Sequence, residues 1–358
     1  MSSYWNQKTY KMKPLVGVIT DTHMKVDNIE LVKSIFKQFI DMLIYHKLKK
    51  AVHMGDWFTS RASQTLECLL ASDEILDMFE EAEITLYIFA GNHDKVSLVD
   101  ETSYLSVICR RRHFVMLFEK ETSVTLNGIK LHFLPYFKEG IEYLSRLSNL
   151  HNSIDENSKN LLFTHTSVNG VRNNDGSIVD GDVDQDFFEL FDLVVTGHYH
   201  DFSEVGEKVI YLRSAYQANF GEDDNKGFSI INTDLSIKYI QSNFPIYKKL
   251  YVDIKDTDAV KEILETYTDS KDNIRVVLRG DQEQIENMDV NKFTVSGIST
   301  QFDNVVDRGV LFEEVEDAEV MTFDKKTVIK NFMAYTKHQE YTKQQSQEGF
   351  KLLQSIQF

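Results

Sequence analysis

Apolar runs that end in metal-ligand residues constrain this chain more than any other feature of its sequence. The clearest run is residues 86–90, a predicted buried strand followed directly by Gly91-Asn92-His93-Asp94. The glycine allows a sharp turn where the strand ends. One tight loop then offers an amide oxygen, an imidazole and a carboxylate at the carboxyl end of a strand, where α/β proteins bind their ligands. Taken alone, this loop is equally consistent with an ordinary polar turn.

Four other apolar runs end in the same way, which makes a chance arrangement implausible. Each is short enough to be a buried strand, and each is followed by aspartate or histidine. Their polar ends are, in chain order, Asp21-Thr22-His23 after residues 14–20, Gly55-Asp56 after residues 50–54, Thr164-His165 after residues 161–163, and Gly197-His198-Tyr199-His200 after residues 193–195.

The pattern between these runs predicts the fold class. Apolar residues recur at helical spacing over residues 29–43 and residues 65–79, between the first three predicted strands. Strand–helix alternation of this kind indicates a layered α/β domain. The middle of the chain is richer in β structure, with a hairpin turn at Asn127-Gly128 and later strands at residues 209–212 and residues 228–231. We therefore predict an α/β (α+β) protein.

Composition excludes some function classes. The net charge of −17 argues against a surface coated with basic residues for nucleic acid, although bound metal ions could still meet a phosphate. Two cysteines, Cys68 and Cys109, provide neither a disulfide framework nor a thiolate zinc site. The chain lacks a signal-peptide core and any uninterrupted apolar run of about 18 residues. We expect a cytoplasmic protein with no membrane segment.

The chain changes character near Pro245, which predicts its domain organisation. We expect a flexible arm at residues 1–13, a main domain at residues 14–245 and a small α+β domain at residues 246–317. Residues 318–358 form an acidic linker followed by a lysine-rich stretch with two amphipathic helical patterns. Their large apolar residues need a surface to cover them. Docking on the chain's own domain and docking on a partner protein are equally consistent with this pattern.

The polar strand ends together contain enough ligands for two metal ions. Two ions about 3.5–4 Å apart need a bridging carboxylate, and Asp56 can be that bridge. Asp21 and His23 can complete one site with one histidine of the pair His198 and His200. Asn92 and His165 can complete the second site with the other histidine of that pair. Mixed imidazole and carboxylate ligands suit manganese, iron or zinc better than calcium. The candidate ligands are Asp21, His23, Asp56, Asn92, His165, His198 and His200.

These motifs resemble those of the calcineurin-like metallophosphoesterases. The resemblance implies a four-layer α/β/β/α sandwich and two divalent metal ions, which we expect to be Mn²⁺. It also implies that His93 contacts the phosphate and assists the leaving oxygen, and that Asp94 orients His93. The implied ligand sets are Asp21, His23, Asp56 and His200 for one ion, and Asp56, Asn92, His165 and His198 for the other.

Within that superfamily the chain is most similar to the SbcD-type nuclease subunits, which work with an SbcC ATPase. Residues 55–61, residues 133–136, residues 192–200 and residues 211–228 carry this similarity. It implies a DNA-binding capping domain, a helical tail that binds an SbcC-like ATPase, and a homodimer that acts on DNA. The compact length favours a phage or mobile-element version, which would work in the host cytoplasm.

Two departures from the SbcD pattern lie outside the candidate ligands. Met24-Lys25 follows the first motif, where that group usually has Leu-Gly. Arg213-Ser214-Ala215 replaces a common Gly-Ser-Pro.

Three functions are consistent with these observations. The first is a metal-dependent DNA nuclease subunit that hydrolyses phosphodiester bonds in end processing, recombination or repair. The second is a metallophosphoesterase for a cyclic nucleotide, a nucleotide or a phosphoprotein; of these, protein phosphatases of the superfamily carry Glu where Asp94 stands and a different run after Gly55-Asp56. The third is a non-catalytic scaffold for DNA ends, which would not need seven metal-competent side chains.

Overall fold

A computed structural model describes residues 13–172, 177–253, 255–267, 270–280 and 298–304. The helices in these residues are α1 (Ile29–Tyr45), α2 (Leu66–Glu81), α3 (Leu105–Cys109), α4 (Ile141–His151) and α5 (Thr257–Tyr267). The strands are β1 (Pro14–Ile19), β2 (Lys50–His53), β3 (Thr85–Phe89), β4 (Val115–Phe118), β5 (Thr122–Leu126), β6 (Ile129–Leu134), β7 (Asn160–His165), β8 (Leu193–Gly197), β9 (Ser203–Val205), β10 (Val209–Tyr211), β11 (Gly227–Asn232), β12 (Ile237–Gln241), β13 (Tyr247–Asp253), β14 (Asn273–Gly280) and β15 (Ile298–Asn304).

The first sheet has six strands in the order β12-β11-β1-β2-β3-β4. β1, β2, β3 and β4 run parallel to one another, whereas β11 and β12 are antiparallel to their neighbours. Parallel strands end at the same edge of a sheet. The loops that follow β1, β2 and β3 therefore lie side by side, and these loops carry the first three polar motifs.

The second sheet also has six strands, in the order β5-β6-β7-β8-β10-β9. β6, β7, β8 and β10 are parallel, and β5 and β9 are antiparallel strands at the two edges. His165 is paired with Gly197 at the carboxyl ends of β7 and β8. The remaining histidine motifs thus leave the second sheet at one edge.

The two sheets pack face to face, with helices on both outer faces. Phe89 of the first sheet packs on Phe133 of the second at a ring-centroid distance of 6.3 Å, within a buried cluster drawn from both sheets. α1 and α2 cover the first sheet through residues such as Phe39 and Phe79, and α4 covers the second through Leu147. Each fully buried side chain of this kind contributes about 1.5–3 kcal/mol. The predicted four-layer α/β/β/α sandwich is confirmed.

Several elements of the sandwich had no clear sequence signal. α3 is only five residues long, and β12 has no buried residue, so neither shows a strong apolar period. α4 buries only Tyr143, Leu147 and Leu150 among polar residues. These elements are defined by packing on the sheets, because α3 and β12 are only five residues long and α4 buries only three of its side chains.

A small third sheet follows the sandwich. β13, β14 and β15 are parallel, and α5 forms the crossover between β13 and β14. Its core contains Val252, Ile274, Val276 and Leu278. The arm at residues 1–12 and the linker and tail at residues 318–358 lie outside the described residues, so the predicted domain limits stay predictions. No helix in the described ranges is both long and apolar enough to cross a membrane.

Candidate metal centre

Backbone strain marks the loops at which the two sheets meet. Asp21, His23, Asp56 and His198 all have positive φ, at 52°, 41°, 53° and 88°. Non-glycine residues seldom adopt this left-handed conformation, and where they do the surrounding structure holds them there, commonly at functional sites. The backbone is therefore strained at four of the predicted ligands.

The first group of ligand atoms consists of Asp21, His23 and His200. The Nε2 atoms of His23 and His200 are 3.0 Å apart. The Oδ1 atom of Asp21 is 3.9 Å from Nε2 of His23 and 4.0 Å from Nε2 of His200. Asp21 is held in place because its carboxylate accepts hydrogen bonds from the Thr20 hydroxyl and the His198 amide. The first and last motifs of the sandwich thus meet at one point.

The second group consists of Asp56, Asn92, His165 and His198. Oδ1 of Asn92 lies 3.1 Å from Nε2 of His165 and 3.0 Å from Nδ1 of His198. Oδ2 of Asp56 lies 3.4 Å from Nε2 of His165 and 3.6 Å from Nε2 of His23 in the first group. Asp56 therefore lies between the two groups, and the structure brings all seven predicted ligands together.

The chemistry of these atoms fits two bound cations. The candidate ligand atoms of Asp21, His23 and His200 all lie within 4.8 Å of one another, as do those of Asp56, His165 and His198. Ligand atoms about 2.0–2.2 Å from a common ion have separations of this size. Two imidazole nitrogens 3.0 Å apart can share only one proton, so a cation between them would satisfy both lone pairs.

A comparison with protein families identifies this arrangement. The model of the calcineurin-like phosphoesterase family matches residues 14–202, which is more than half of the chain. The chain belongs to the calcineurin-like phosphoesterase family. The match confirms the resemblance drawn from the motifs, and it makes the protein a member of a family of hydrolases that use divalent metals.

Several relatives of this phosphoesterase are components of nucleases. It is 23% identical to exonuclease subunit 1 of Enterobacteria phage T4, over 61% of this chain and 63% of that protein, so it spans less than two thirds of that relative. It is 24% identical to the SbcD component of the SbcCD nuclease of Staphylococcus epidermidis, over 77% of this chain and 79% of that protein. It is also 23% identical to the putative phosphoesterase 244L of Invertebrate iridescent virus 6, over 76% of this chain and 96% of that protein.

His93 lies beside the first ligand group of the phosphoesterase. Its ring centroid is 5.0 Å from that of His23, and the two rings meet edge to face. Nδ1 of His93 is 2.6 Å from the carbonyl oxygen of Thr59, so Nδ1 carries the proton and donates it to that carbonyl. The backbone amide of His93 donates to Oδ1 of Asp56. The ring is thus fixed with Nε2 left for a ligand in the cleft.

Asp94 has a different role from the one that the resemblance implied. Its carboxylate accepts hydrogen bonds from the backbone amides of Gly91 and Phe58, at 2.9 and 3.0 Å. The ring of His93 is oriented by the Thr59 carbonyl instead. Burial, followed by repulsion from Asp56, raises the pKa of Asp94 to about 7. Asp94 therefore holds two strand-end loops together, and the expectation that it orients the His93 ring is corrected.

The histidines of the phosphoesterase divide into two electrostatic classes. Burial lowers the pKa values of His23 and His198 to about 4, so these imidazoles are neutral at pH 7. Burial would also lower the pKa of His165, but the Asp56 carboxylate overcomes it and raises that pKa to about 9. Burial acts on His200 in the same direction, but the hydrogen bond with Glu222 and the charge of Asp21 outweigh it, and the pKa of His200 is raised as well.

A cleft of about 400 Å³ opens over both ligand groups. The residues that line the cleft include Leu31, Tyr216 and Tyr247 as well as the histidines. The lining also includes Lys25, an exposed lysine. An anionic substrate with an apolar part would fit a cleft with this combination of surfaces.

Glu222 is the main feature that sequence reasoning missed. Its Oε1 atom is 2.9 Å from Nδ1 of His200, although the sequence analysis noted this glutamate only as part of a similar segment. The signal that could have identified it is an acidic residue close to Lys226 and just before an apolar strand, since acids are rarely buried unless they are paired.

Proposed function

We propose that this protein is a metal-dependent DNA nuclease subunit that hydrolyses phosphodiester bonds in DNA end processing, recombination or repair. The observation that carries the proposal is the position of Asp56 between the two ligand groups. Its Oδ2 lies 3.6 Å from Nε2 of His23 in the first group and 3.4 Å from Nε2 of His165 in the second. A carboxylate in that position suits the bridge of a two-metal site, and such sites are common in phosphatases and nucleases.

The proposed ligands hold two divalent ions, which we take to be Mn²⁺. Bound there, the ions would activate a water molecule for in-line attack on phosphorus and neutralise charge on the phosphate oxygens. The proposed ligand sets are Asp21, His23, Asp56 and His200 for the first ion, and Asp56, Asn92, His165 and His198 for the second. The described geometry supports this division, because Asp21, His23 and His200 form one cluster and Asp56, His165 and His198 form the other. Asn92 contacts the second cluster, and Asp56 also lies 3.6 Å from His23 of the first.

His93 is the proposed general acid. The Thr59 carbonyl accepts the Nδ1 proton, which leaves Nε2 to deliver a second proton when the ring is an imidazolium. Protonation of the leaving sugar oxygen avoids the build-up of an alkoxide, and a positioned acid of this kind contributes about 10²- to 10⁴-fold in rate. The edge-to-face contact with His23 keeps the ring beside the first ligand group.

DNA is the proposed substrate and an SbcC-like ATPase the proposed partner. The support comes from the relatives, of which two are named as subunits of nucleases. We propose that residues 318–358 bind the ATPase and that the protein acts as a homodimer in the cytoplasm. The metal ions would supply the positive charge that this acidic chain lacks for a DNA phosphate.

A nuclease assay tests the proposal. Linear duplex, hairpin and single-stranded DNA are incubated with Mn²⁺ and the wild-type protein, His93→Ala or Asp56→Ala. We expect cleavage by the wild type, a loss of about 10²- to 10⁴-fold with His93→Ala and no cleavage with Asp56→Ala. His113→Ala serves as the matched control, because His113 is exposed and outside the cleft.

Two results would contradict the proposal in different ways. If the wild type spares DNA but hydrolyses a small phosphodiester such as bis(p-nitrophenyl) phosphate, even with an SbcC-like ATPase and ATP present, the substrate assignment fails. If it hydrolyses neither compound under those conditions, the catalytic assignment fails, and a role as a scaffold for DNA ends takes its place.

A further inference from the structure

Glu222 contacts the first ligand group through the ring of His200. Its Oε1 atom is 2.9 Å from Nδ1 of His200, while Nε2 of the same ring is directed at His23, 3.0 Å away. A carboxylate can only accept a hydrogen bond, so Nδ1 must carry the proton. The neutral ring then has its lone pair on Nε2, which is the atom that faces the proposed ion.

This arrangement distinguishes His200 from the other histidines. Nδ1 of His165 is 2.9 Å from the carbonyl oxygen of Met54, and Nδ1 of His93 is 2.6 Å from the carbonyl oxygen of Thr59. A carboxylate is a stronger acceptor than a carbonyl group, and it increases the basicity of the imidazole that binds a metal. Among His93, His165 and His200, His200 therefore has the most strongly polarised ring.

Glu222 is itself held rigidly, although it lies in a loop. Its side chain is fully buried and accepts hydrogen bonds from the amide of Ala218 at 3.0 Å and from Nδ2 of Asn219 at 2.7 Å. The buried Lys226 places Nζ 3.5 Å from Oε2 of Glu222 and donates to the carbonyl oxygen of His200 at 2.8 Å. Both the ring and the backbone of His200 are thus anchored to one buried ion pair.

The same loop holds the start of the small third sheet. The side-chain amide of Gln217 accepts a hydrogen bond from the Tyr247 amide at 2.7 Å and donates to the Tyr247 carbonyl at 3.1 Å. It also donates to the carbonyl oxygen of Glu222 at 2.8 Å. Phe220 lies between the Tyr247 ring and the Arg275 guanidinium, at 5.0 and 4.0 Å from its ring centroid. β13 and β14 therefore rest on the loop that carries Glu222.

We propose that Glu222 is a positioning residue for the ion held by Asp21, His23, Asp56 and His200, and that residues 217–222 couple this ion to the anchoring of the small sheet. This inference rests on the proposed two-metal centre. Loss of the Glu222 charge weakens binding of the first ion and leaves binding of the second unchanged. The second group does not depend on Glu222, because its His165 is held by the Met54 carbonyl. Loosening of the small sheet at Gln217 acts on the same ion through the same loop.

Calorimetric titration of the full-length protein with MnCl₂ tests the role of Glu222. The wild type is expected to bind two ions, and His200→Ala identifies which binding step belongs to the first position. We expect Glu222→Gln to weaken that step by about 10- to 100-fold and to leave the other step unchanged. Glu207→Gln is the matched control, because Glu207 is exposed in the turn between β9 and β10.

Imidazole ¹⁵N spectra of the protein in EDTA provide a readout that does not depend on metal. The wild type should show His200 with the proton on Nδ1, and Glu222→Gln should show a mixture of tautomers. Melting curves in EDTA establish that the variant is folded. If it is not folded, Asn219→Ala takes its place, since Asn219 is exposed and orients Glu222 without touching His200. We then expect a smaller, severalfold weakening of the first step.

A double-mutant cycle tests the coupling. Gln217→Ala should weaken the first ion severalfold, and its effect should be less than additive with that of Glu222→Gln, because both act through one loop. Additive effects, or equal losses at both positions, would overturn the coupling. Two ions bound with equal affinity by the wild type and Glu222→Gln would overturn the positioning role alone. A wild type that binds no second ion would overturn this inference together with the proposed two-metal centre.

Discussion

Three histidines near the cleft are each fixed in orientation by a hydrogen bond from their second ring nitrogen. His93, His165 and His200 each direct one ring nitrogen towards the cleft or the ligand clusters and give the other to a fixed acceptor. Rotation of any of these rings would break a buried or half-buried hydrogen bond, which costs about 1–3 kcal/mol. These three rings are therefore held in place by hydrogen bonds within the protein, without any bound ion or substrate.

Metal affinity should rise with pH. A ligating imidazole must be neutral, and the pKa of His165 is raised to about 9, because Asp56 overcomes the effect of burial. At pH 7 an incoming ion must therefore displace a proton, and this cost falls as the pH approaches 9. We expect the Kd for Mn²⁺ to decrease between pH 6.5 and 8.5. Titrations in buffers of different ionisation enthalpy should show proton release; equal heats in all buffers would contradict the prediction.

Lys25 should contribute to substrate binding rather than to chemistry. It is exposed and lines the cleft. If it meets a DNA phosphate, Lys25→Ala should raise KM severalfold, leave kcat unchanged and reduce the slope of log affinity against log salt by about 1.

The matched control for this prediction is Lys37→Ala. Lys37 is an exposed lysine on α1 that is paired with Asp41, and it is not part of the cleft. An unchanged salt slope in Lys25→Ala would show that this lysine does not contact the substrate. A lower kcat at unchanged KM would assign it to the chemical step instead.

At the scale of elements, the loops after β2 and β3 are packed against each other without room for a side chain. A Cβ atom on Gly91 would lie 2.2 Å from Oδ1 and 2.4 Å from the backbone nitrogen of Asp56. A Cβ atom on Gly55, which has a φ of +95°, would lie 2.5 Å from the Gly91 nitrogen. Two adjacent glycines in space thus allow Asp56 to lie between the ligand groups.

Gly91→Ala should displace Asp56 and abolish the binding of two ions. Overpacking at such a contact costs about 1–3 kcal/mol of folding stability, which urea unfolding measures. Gly181→Ala is the control, because its new Cβ atom would have its nearest neighbour at 3.7 Å, an ordinary contact. Two-ion binding by a folded Gly91→Ala protein would show that the loops can separate without loss of the bridge.

At the scale of the whole molecule, the centre joins halves of the sandwich that are distant in sequence. Asp21 and His198, which are hydrogen-bonded, lie 177 residues apart and follow strands of different sheets. The packing of one sheet on the other therefore sets the distance between the ligands. A destabilised interface between the sheets would separate the candidate metal ligands even when none of these residues is substituted.

Removal of residues 325–358 should abolish binding of the proposed SbcC-like ATPase. This stretch has six lysines and two glutamates together with large apolar residues, and it lies outside the described part of the chain. We expect the truncated protein to lose co-purification with an SbcC-type ATPase from the same source while it still cleaves a small phosphodiester with Mn²⁺. Retained binding of the ATPase would remove the main sequence support for the proposed complex.

The seven candidate ligands and most strands of the sandwich were predictable from sequence. Each ligand follows a short apolar run, and the carboxyl ends of parallel strands lie at a common edge, so the motif order contains enough information. The helix beginning after Thr65 was likewise indicated by its apolar period, and the structure places that helix at Leu66–Glu81 with Thr65 as its N-cap. These features depend on local patterns of a few residues to about 20.

The contacts of Glu222, Asp94 and Gln217 were decided by tertiary structure alone. No local pattern tells whether a buried carboxylate will accept from an imidazole, as Glu222 does, or from two backbone amides, as Asp94 does. That choice depends on which groups the packing of two sheets and a third small sheet leaves within about 3 Å of each oxygen. The sequence by itself thus predicted which side chains come together as candidate metal ligands, because the motifs end parallel strands. The tertiary structure decided how those side chains are held, because that depends on contacts between residues distant in sequence.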